Sequence, residues 1–141
     1  ARNVYLTTVN ISKIKASSGA SVKSENTIQA ETLELDSSSG SSIKIRANTN
    51  EIKSEASSGS TIAIVGKSQN FSANSSSGSS INAKELKTEN AVAKASSGSN
   101  IDVNVTGKLT ANASSGGDID FEGNPSKVIK KSHSGGSVSK N

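Results

Sequence analysis

The sequence contains no cysteine, methionine or tryptophan, and it has one proline and one histidine. Without cysteine, the chain can form neither a disulfide framework nor a thiolate metal site. Because His133 is the only histidine, a metal centre built from several histidines is excluded and a Ser-His-Asp triad is disfavoured. No apolar run is long enough to cross a membrane as a helix, so no transmembrane segment is expected.

Aromatic and apolar residues are also scarce, at 2% and 30% of the chain. A composition this poor in apolar residues is typical of disordered, serine-rich segments as well as of folds with a thin core. The formal net charge is +4, but the lysines are scattered singly along the chain. Nucleic-acid-binding proteins usually carry a basic stripe with stacking aromatics, so no nucleic-acid partner is expected.

What the sequence does contain is a repeat marked by Ser-Ser-Gly, or a close variant of it. Successive marker glycines are separated by 21, 19, 19, 20, 18 and 19 residues. The marker glycines are Gly19, Gly40, Gly59, Gly78, Gly98, Gly116 and Gly135. A nearly constant period of this length indicates a solenoid, in which each repeat adds one coil to a stack.

Alignment on the marker glycines shows an alternation of apolar and polar positions. The third residue after each glycine is always Ile or Val: Val22, Ile43, Ile62, Ile81, Ile101, Ile119 and Val138. The second residue after each glycine is polar, and the third residue before it is always Ala or Ser. Because this alternation with a period of two recurs in every repeat, the same face of each strand should point inward.

The pattern predicts an all-β fold, a parallel β-helix of about seven coils with roughly 19–20 residues each. Parallel crossovers favour a right-handed coil. We expect one domain over residues 1–141, with 123–141 forming the last coil and a cap that protects the end of the stack. Each coil should contain two strands, a Ser-Ser-Gly corner and a return turn rich in Asn, Lys, Gly and Glu.

The corner itself leads to two further expectations. Glycine should supply the positive φ that a sharp bend requires. The serine before each glycine should form a ladder of stacked hydroxyls that satisfies buried polar groups at the corner.

The repeated Ser-Ser-Gly-Ser-x-Ile, with the endings 123–128 (Gly-Asn-Pro-Ser-Lys-Val) and 134–138 (Ser-Gly-Gly-Ser-Val), resembles the putative auto-transporter adhesin, head GIN domain family. The resemblance implies a single-stranded parallel β-helix that is exported to the surface or envelope of a bacterium, either outer-membrane-associated or periplasmic. It further implies that the chain corresponds to the C-terminal part of the family domain, and that its role is adhesin-like. The family supplies no catalytic residues to carry over.

One surface of the predicted stack is strongly charged. Asp118, Asp120 and Glu122 lie at outward positions of the sixth coil, and Asp102 should stack beside Asp120. Such a patch is either a solvated acidic face or a calcium site, since calcium prefers clustered oxygen ligands. At the other end of the same face lie Lys23, Lys44 and Arg46, so the sequence predicts a charge gradient along the solenoid.

Three functions are compatible with this fold. The favoured one is a non-catalytic binding module for a glycan or a host or extracellular protein, with no cofactor beyond the possible calcium. A polysaccharide lyase with calcium at the acidic patch is the enzyme alternative, although the nearest basic residue in register, Lys84, is two coils from the acidic centre. An ice-binding solenoid is disfavoured, because its outward rows would mix Ser with Asp, Lys and Asn.

Overall fold

The structure, a computed structural model, describes residues 3–6, 13–24 and 27–140. Strands make up 74% of the described residues, and there is no helix among them. The strands are β1 (Asn3–Leu6), β2 (Lys13–Ala16), β3 (Ser21–Ser24), β4 (Ile28–Ser37), β5 (Ser42–Ala56), β6 (Thr61–Ser75), β7 (Ser80–Ala95), β8 (Asn100–Ala113), β9 (Asp118–Glu122), β10 (Lys127–Ser132) and β11 (Ser137–Lys140).

All the strand pairs are parallel, and each joins one coil to the next. The predicted Ile and Val column is aligned residue for residue: Val22 pairs with Ile43, and the pairing continues through Ile62, Ile81, Ile101 and Ile119 to Val138. The structure therefore confirms the prediction of a parallel β-solenoid with about seven turns. The right-handed sense of the coil stays a prediction.

The core is a set of apolar columns that run along the axis of the stack. Buried and exposed residues alternate along β5, as the period of two requires. Ile62, Ile81 and Ile101 are 0%, 1% and 0% exposed, so each coil is covered by its neighbours. This arrangement explains how a chain with few apolar residues folds, because every coil buries the same few positions against the next.

The predicted return turn is wrong for the central coils. The strands β5, β6, β7 and β8 each run unbroken from one corner to the next, and residues of the return segment, such as Asn48 and Lys67, pair between coils. Within the paired strand, Gly66 has a φ of 128°, and a Cβ added there would overlap the carbonyl group of Ala47, so there is no room for a side chain. Register shifts after Ala63 and Asn82 absorb the unequal repeat lengths.

The corner contains two residues with positive φ. The marker glycines have φ between 73° and 81°, as expected, but the serine before each glycine also has a positive φ, between 50° and 55°. The amide of Ser60 donates to the carbonyl oxygen of Ser57 at 3.2 Å, closing the turn around Ser58 and Gly59. Positive φ at both central residues defines a type I′ turn.

The hydroxyl ladder at the corner is formed by a different serine from the predicted one. The serines before the glycines, such as Ser58, are exposed, whereas the serines after the glycines are buried. Each buried hydroxyl donates to a carbonyl oxygen of the preceding coil: Ser41 to Ala16 at 2.9 Å, Ser60 to Ser37 at 2.7 Å, Ser79 to Ala56 at 2.8 Å and Ser99 to Ser75 at 2.6 Å. The prediction failed because the type I′ turn points its central side chains outward.

The final coil, formed by β10 and β11, places two lysines over the end of the core. Lys130 pairs with Ala111 and Lys140 pairs with Phe121, so both continue columns that are apolar in the preceding coil. The ammonium group of Lys130 lies 5.4 Å from the centroid of the Phe121 ring. Lys140 donates to the side-chain oxygen of Asn124 at 3.1 Å. Charged residues at such positions hinder the addition of a further strand.

Candidate functional site

Two outward columns that follow the corners form a surface that we call the polar face. The first column is Ser21, Ser42, Thr61, Ser80, Asn100, Asp118 and Ser137. The second column is Lys23, Lys44, Ala63, Asn82, Asp102, Asp120 and Ser139. The alternation that buries the Ile and Val column forces these side chains outward, because successive side chains in a strand point to opposite faces.

The four predicted acidic residues lie at the C-terminal end of the polar face. Asp102 pairs directly with Asp120, as the sequence register predicted. Asp118 lies beside Asn100, and Glu122 lies beside Asn104. The acids therefore alternate with amides across the coils, except where Asp102 and Asp120 meet.

Two serines of the last coil bind these carboxylates, and these contacts were not among the predictions from the sequence. The Ser137 hydroxyl donates to Oδ1 of Asp118 at 2.6 Å, and the Ser139 hydroxyl donates to Oδ1 of Asp120 at 2.6 Å. Both serines occupy the outward columns that the marker-glycine alignment defines. These contacts could have been predicted from the register, since it places Ser137 beside Asp118 and Ser139 beside Asp120 in the preceding coil.

Asp102 is the acid with the clearest perturbation. Its half-buried position raises the pKa of the carboxyl above the usual range, Lys84 lowers the pKa, and Asp120 and Glu122 raise it further. Burial removes water from the carboxylate, and nearby negative charges disfavour ionisation. Lys84 is thus close enough to act on Asp102, one coil from it, even though it lies two coils from Asp120.

The polar face contains a shallow, open depression of about 530 Å³. Its wall includes Asn82, Asn100, Asp102, Asp118 and Asp120, with hydroxyls of Thr61, Ser80 and Ser137. These groups are hydrogen-bond donors and acceptors spread over five coils. The shape and chemistry suit an extended polar ligand better than a small apolar one, which would need an enclosed apolar cavity.

The predicted calcium site is not established by this geometry. Within residues 3–6, 13–24 and 27–140, no three His, Cys, Asp or Glu side chains are grouped closely enough to hold a metal ion. Asp118 and Glu122 flank Asp120 along one strand, and two of these acids are already bound to serine hydroxyls. Calcium binding by Asp102, Asp118, Asp120 and Glu122 stays a prediction.

The remaining candidates for chemistry are placed at the surface or in structural roles. His133 is exposed at the last corner. The buried serines at the corners donate to backbone carbonyls, as Ser79 does to Ala56. Their regular hydrogen bonds are explained by corner packing, without a nucleophilic role.

Across the described part of the chain, no helix is long and apolar enough to span a membrane.

No curated protein and no solved structure matches the sequence. A family described as "Putative auto-transporter adhesin, head GIN domain" matches residues 1–125. The match ends at residue 125, so most of the ending that contributed to the resemblance, residues 126–128 and 134–138, lies outside it. Because the match covers most of the chain, this protein belongs to the "Putative auto-transporter adhesin, head GIN domain" family.

Proposed function

We propose that this protein is a non-catalytic binding module that holds an extended ligand along the polar face. The observation that carries this proposal is the open depression, whose hydroxyl, amide and carboxylate groups extend from Thr61 to Ser137 over successive coils. The family name supports an adhesin-like role. It also supports a location at the surface or envelope of a bacterial cell, where an adhesin meets its ligand.

The chemistry of the polar face indicates the kind of ligand. Among the described side chains, the aromatic rings of Phe71 and Phe121 are 2% and 3% exposed, so neither can stack on a sugar at the surface. Among these described side chains, recognition would use hydrogen bonds from residues such as Asn82 and Asn100, and the charges of Asp102 and Asp120. A hydrated glycan chain or a polar protein surface provides the matching donors and acceptors.

The test is binding of the protein to a panel of immobilised glycans and extracellular-matrix proteins, with and without calcium. The polysaccharides are checked for shortened chains in the same experiment. Saturable binding without cleavage is the expected result. The acid Asp120 lies at the centre of the acidic patch, so loss of a calcium-dependent signal in Asp120→Asn would assign that dependence to the patch. Failure to bind any member of the panel would contradict the proposal.

A polysaccharide-active enzyme is the second candidate, and the proximity of Lys84 to Asp102 favours it. A basic group next to acids can remove a proton from a sugar while the acids position the substrate or a cation. Cleavage of a polysaccharide by the protein, abolished in Lys84→Ala, would establish this alternative and overturn the non-catalytic proposal.

A further inference from the structure

The second column of the polar face carries charge in a self-complementary order. From the first coil to the sixth it reads Lys23, Lys44, Ala63, Asn82, Asp102 and Asp120, with each residue paired to the next across adjacent strands. Two cations are therefore followed by two uncharged residues and then by two acids. Reversing the direction of the column exchanges the cations and the acids.

This order fits a two-fold axis. Consider a second copy placed face to face, antiparallel, with the axis passing between Ala63 and Asn82. Coil one then faces coil six, and coil two faces coil five. Lys23 of each copy lies opposite Asp120 of the other, and Lys44 lies opposite Asp102. Because both stacks have the same coil spacing, about 4.8 Å, all four opposite-charge pairs can form together.

The surroundings of the column are compatible with close approach of a second copy. The neighbouring column has the small residues Ser42, Thr61 and Ser80 at its centre, so no bulky side chain blocks contact there. Lys23 and Lys44 are exposed, and they lie beside each other as like charges.

The acidic end has the same unbalanced character. Asp102 and Asp120 are also adjacent like charges. Burial is the main cause of the raised pKa of Asp102, Lys84 opposes the shift, and Asp120 adds to it. Within the described residues the ion pairs are Lys13–Glu34 and Lys53–Glu51, and neither belongs to this column. A second copy would supply the opposite charge at both ends.

We propose that a second copy of this chain docks antiparallel on the polar face, through the pairs Lys23–Asp120 and Lys44–Asp102. The inference rests on the proposed function, because it names a partner for the same face. For a surface protein, this pairing would link two molecules on one cell or on neighbouring cells. An interface made mainly of exposed charges is weak and sensitive to salt, and many copies on a surface would strengthen it by avidity.

The experiment measures self-association of the full chain by sedimentation velocity over a range of protein concentrations, at low and at high salt. We expect a monomer–dimer equilibrium at low salt that shifts to monomer at high salt. Lys44→Glu and Asp102→Lys should each weaken the dimer about tenfold or more, since each places two like-charge pairs across the interface. The exposed Lys94, which lies before a corner and outside the polar face, provides the matched control Lys94→Glu.

The decisive step is an equimolar mixture of the two single variants. In the mixed dimer, Glu at position 44 of one copy faces Lys at position 102 of the other, and the second site keeps the native Lys44–Asp102 pair. The mixture should therefore dimerise at protein and salt concentrations at which neither variant dimerises alone. Circular dichroism checks folding, and if Asp102→Lys does not fold, Lys23→Glu with Asp120→Lys provides the same test.

A wild-type protein that stays monomeric at low salt would overturn the inference, and so would a mixture that fails to dimerise. Self-association is measured without any ligand, whereas the glycan and matrix panel is measured at protein concentrations low enough for the chain to be monomeric. Panel binding by a protein that never dimerises would thus leave the proposed function standing. Dimerisation without panel binding would support the docking of a second copy and contradict the proposed binding of a glycan or matrix protein.

Discussion

The hydroxyl of Ser60 donates a hydrogen bond to the carbonyl oxygen of Ser37, 2.7 Å away in the preceding coil. The same hydroxyl accepts a hydrogen bond from the amide of Ser57 at 2.9 Å. One buried side chain thereby fixes the turn and joins two coils. Because the equivalent serines, Ser41 and Ser79, make the same contacts, the corner stabilises the stack along its axis.

Ser60→Ala should therefore destabilise the protein by about 1 kcal/mol, the usual contribution of a buried hydrogen bond. The matched control is Ser58→Ala, two residues away, where the hydroxyl is exposed. The control should change the free energy of unfolding much less. Urea unfolding followed by circular dichroism measures both, and a larger loss in Ser58→Ala would contradict the assignment of the ladder to the buried serines.

The register of the core leads to a second prediction. Ile62 is fully buried and Thr61 is exposed, although they are adjacent. Ile62→Asp should unfold the stack, since it places an unpaired carboxylate among apolar columns. Thr61→Asp should leave the protein folded. Thermal unfolding compares the two, and equal damage from both changes would refute the alternation of inward and outward positions.

A third prediction concerns Gly117, at a position where most other coils have serine. Ser follows the marker glycine in four coils, but Gly117 occupies that position in the sixth coil. Gly117→Ser therefore looks like a restoration of the ladder. In the structure, however, a Cβ at residue 117 would overlap the carbonyl of Ala95 and the amide of Ser96.

We expect Gly117→Ser to lower the melting temperature, because the backbone of the coil must shift to make room. The exposed serine of the same corner offers a control, Ser115→Ala. A Gly117→Ser protein more stable than the wild type would show that this coil is less tightly packed than described.

The pKa of Asp102 leads to a fourth prediction, about pH. Its pKa is raised in the folded state by burial first, with Asp120 and Glu122 adding to the shift and Lys84 opposing it. The folded protein thus holds this proton more tightly than the unfolded chain does. The ionised carboxylate therefore destabilises the fold once the pH rises above roughly 4, the usual Asp value, and has no such effect well below it.

Asp102→Asn should accordingly stabilise the protein at neutral pH, and this gain should vanish at low pH. Unfolding free energies of both proteins across the acidic range provide the comparison. A variant that is less stable than the wild type at neutral pH would instead mean that the carboxylate makes a favourable interaction.

The sequence was sufficient to predict the coils, because Ile or Val recurs three residues after every marker glycine, from Val22 to Val138. It was also sufficient to place Asp102 beside Asp120. The corner was harder, since serine is an unusual residue for positive φ and Ser58 gives no local sign of it. The close approach of Gly66 to the Ala47 carbonyl depends on how neighbouring coils are aligned. No single repeat contains that information.

The most direct test of the account is whether ligand binding depends on the polar face. Asn100 lies on the polar face and Asn74 is exposed on an outward column before a corner, so Asn100→Trp and Asn74→Trp add the same bulk to different surfaces. Binding to the glycan and matrix panel should be lost in Asn100→Trp and kept in Asn74→Trp. Equal binding by both variants, or loss only in Asn74→Trp, would contradict the claim that this protein binds its ligand through the polar face.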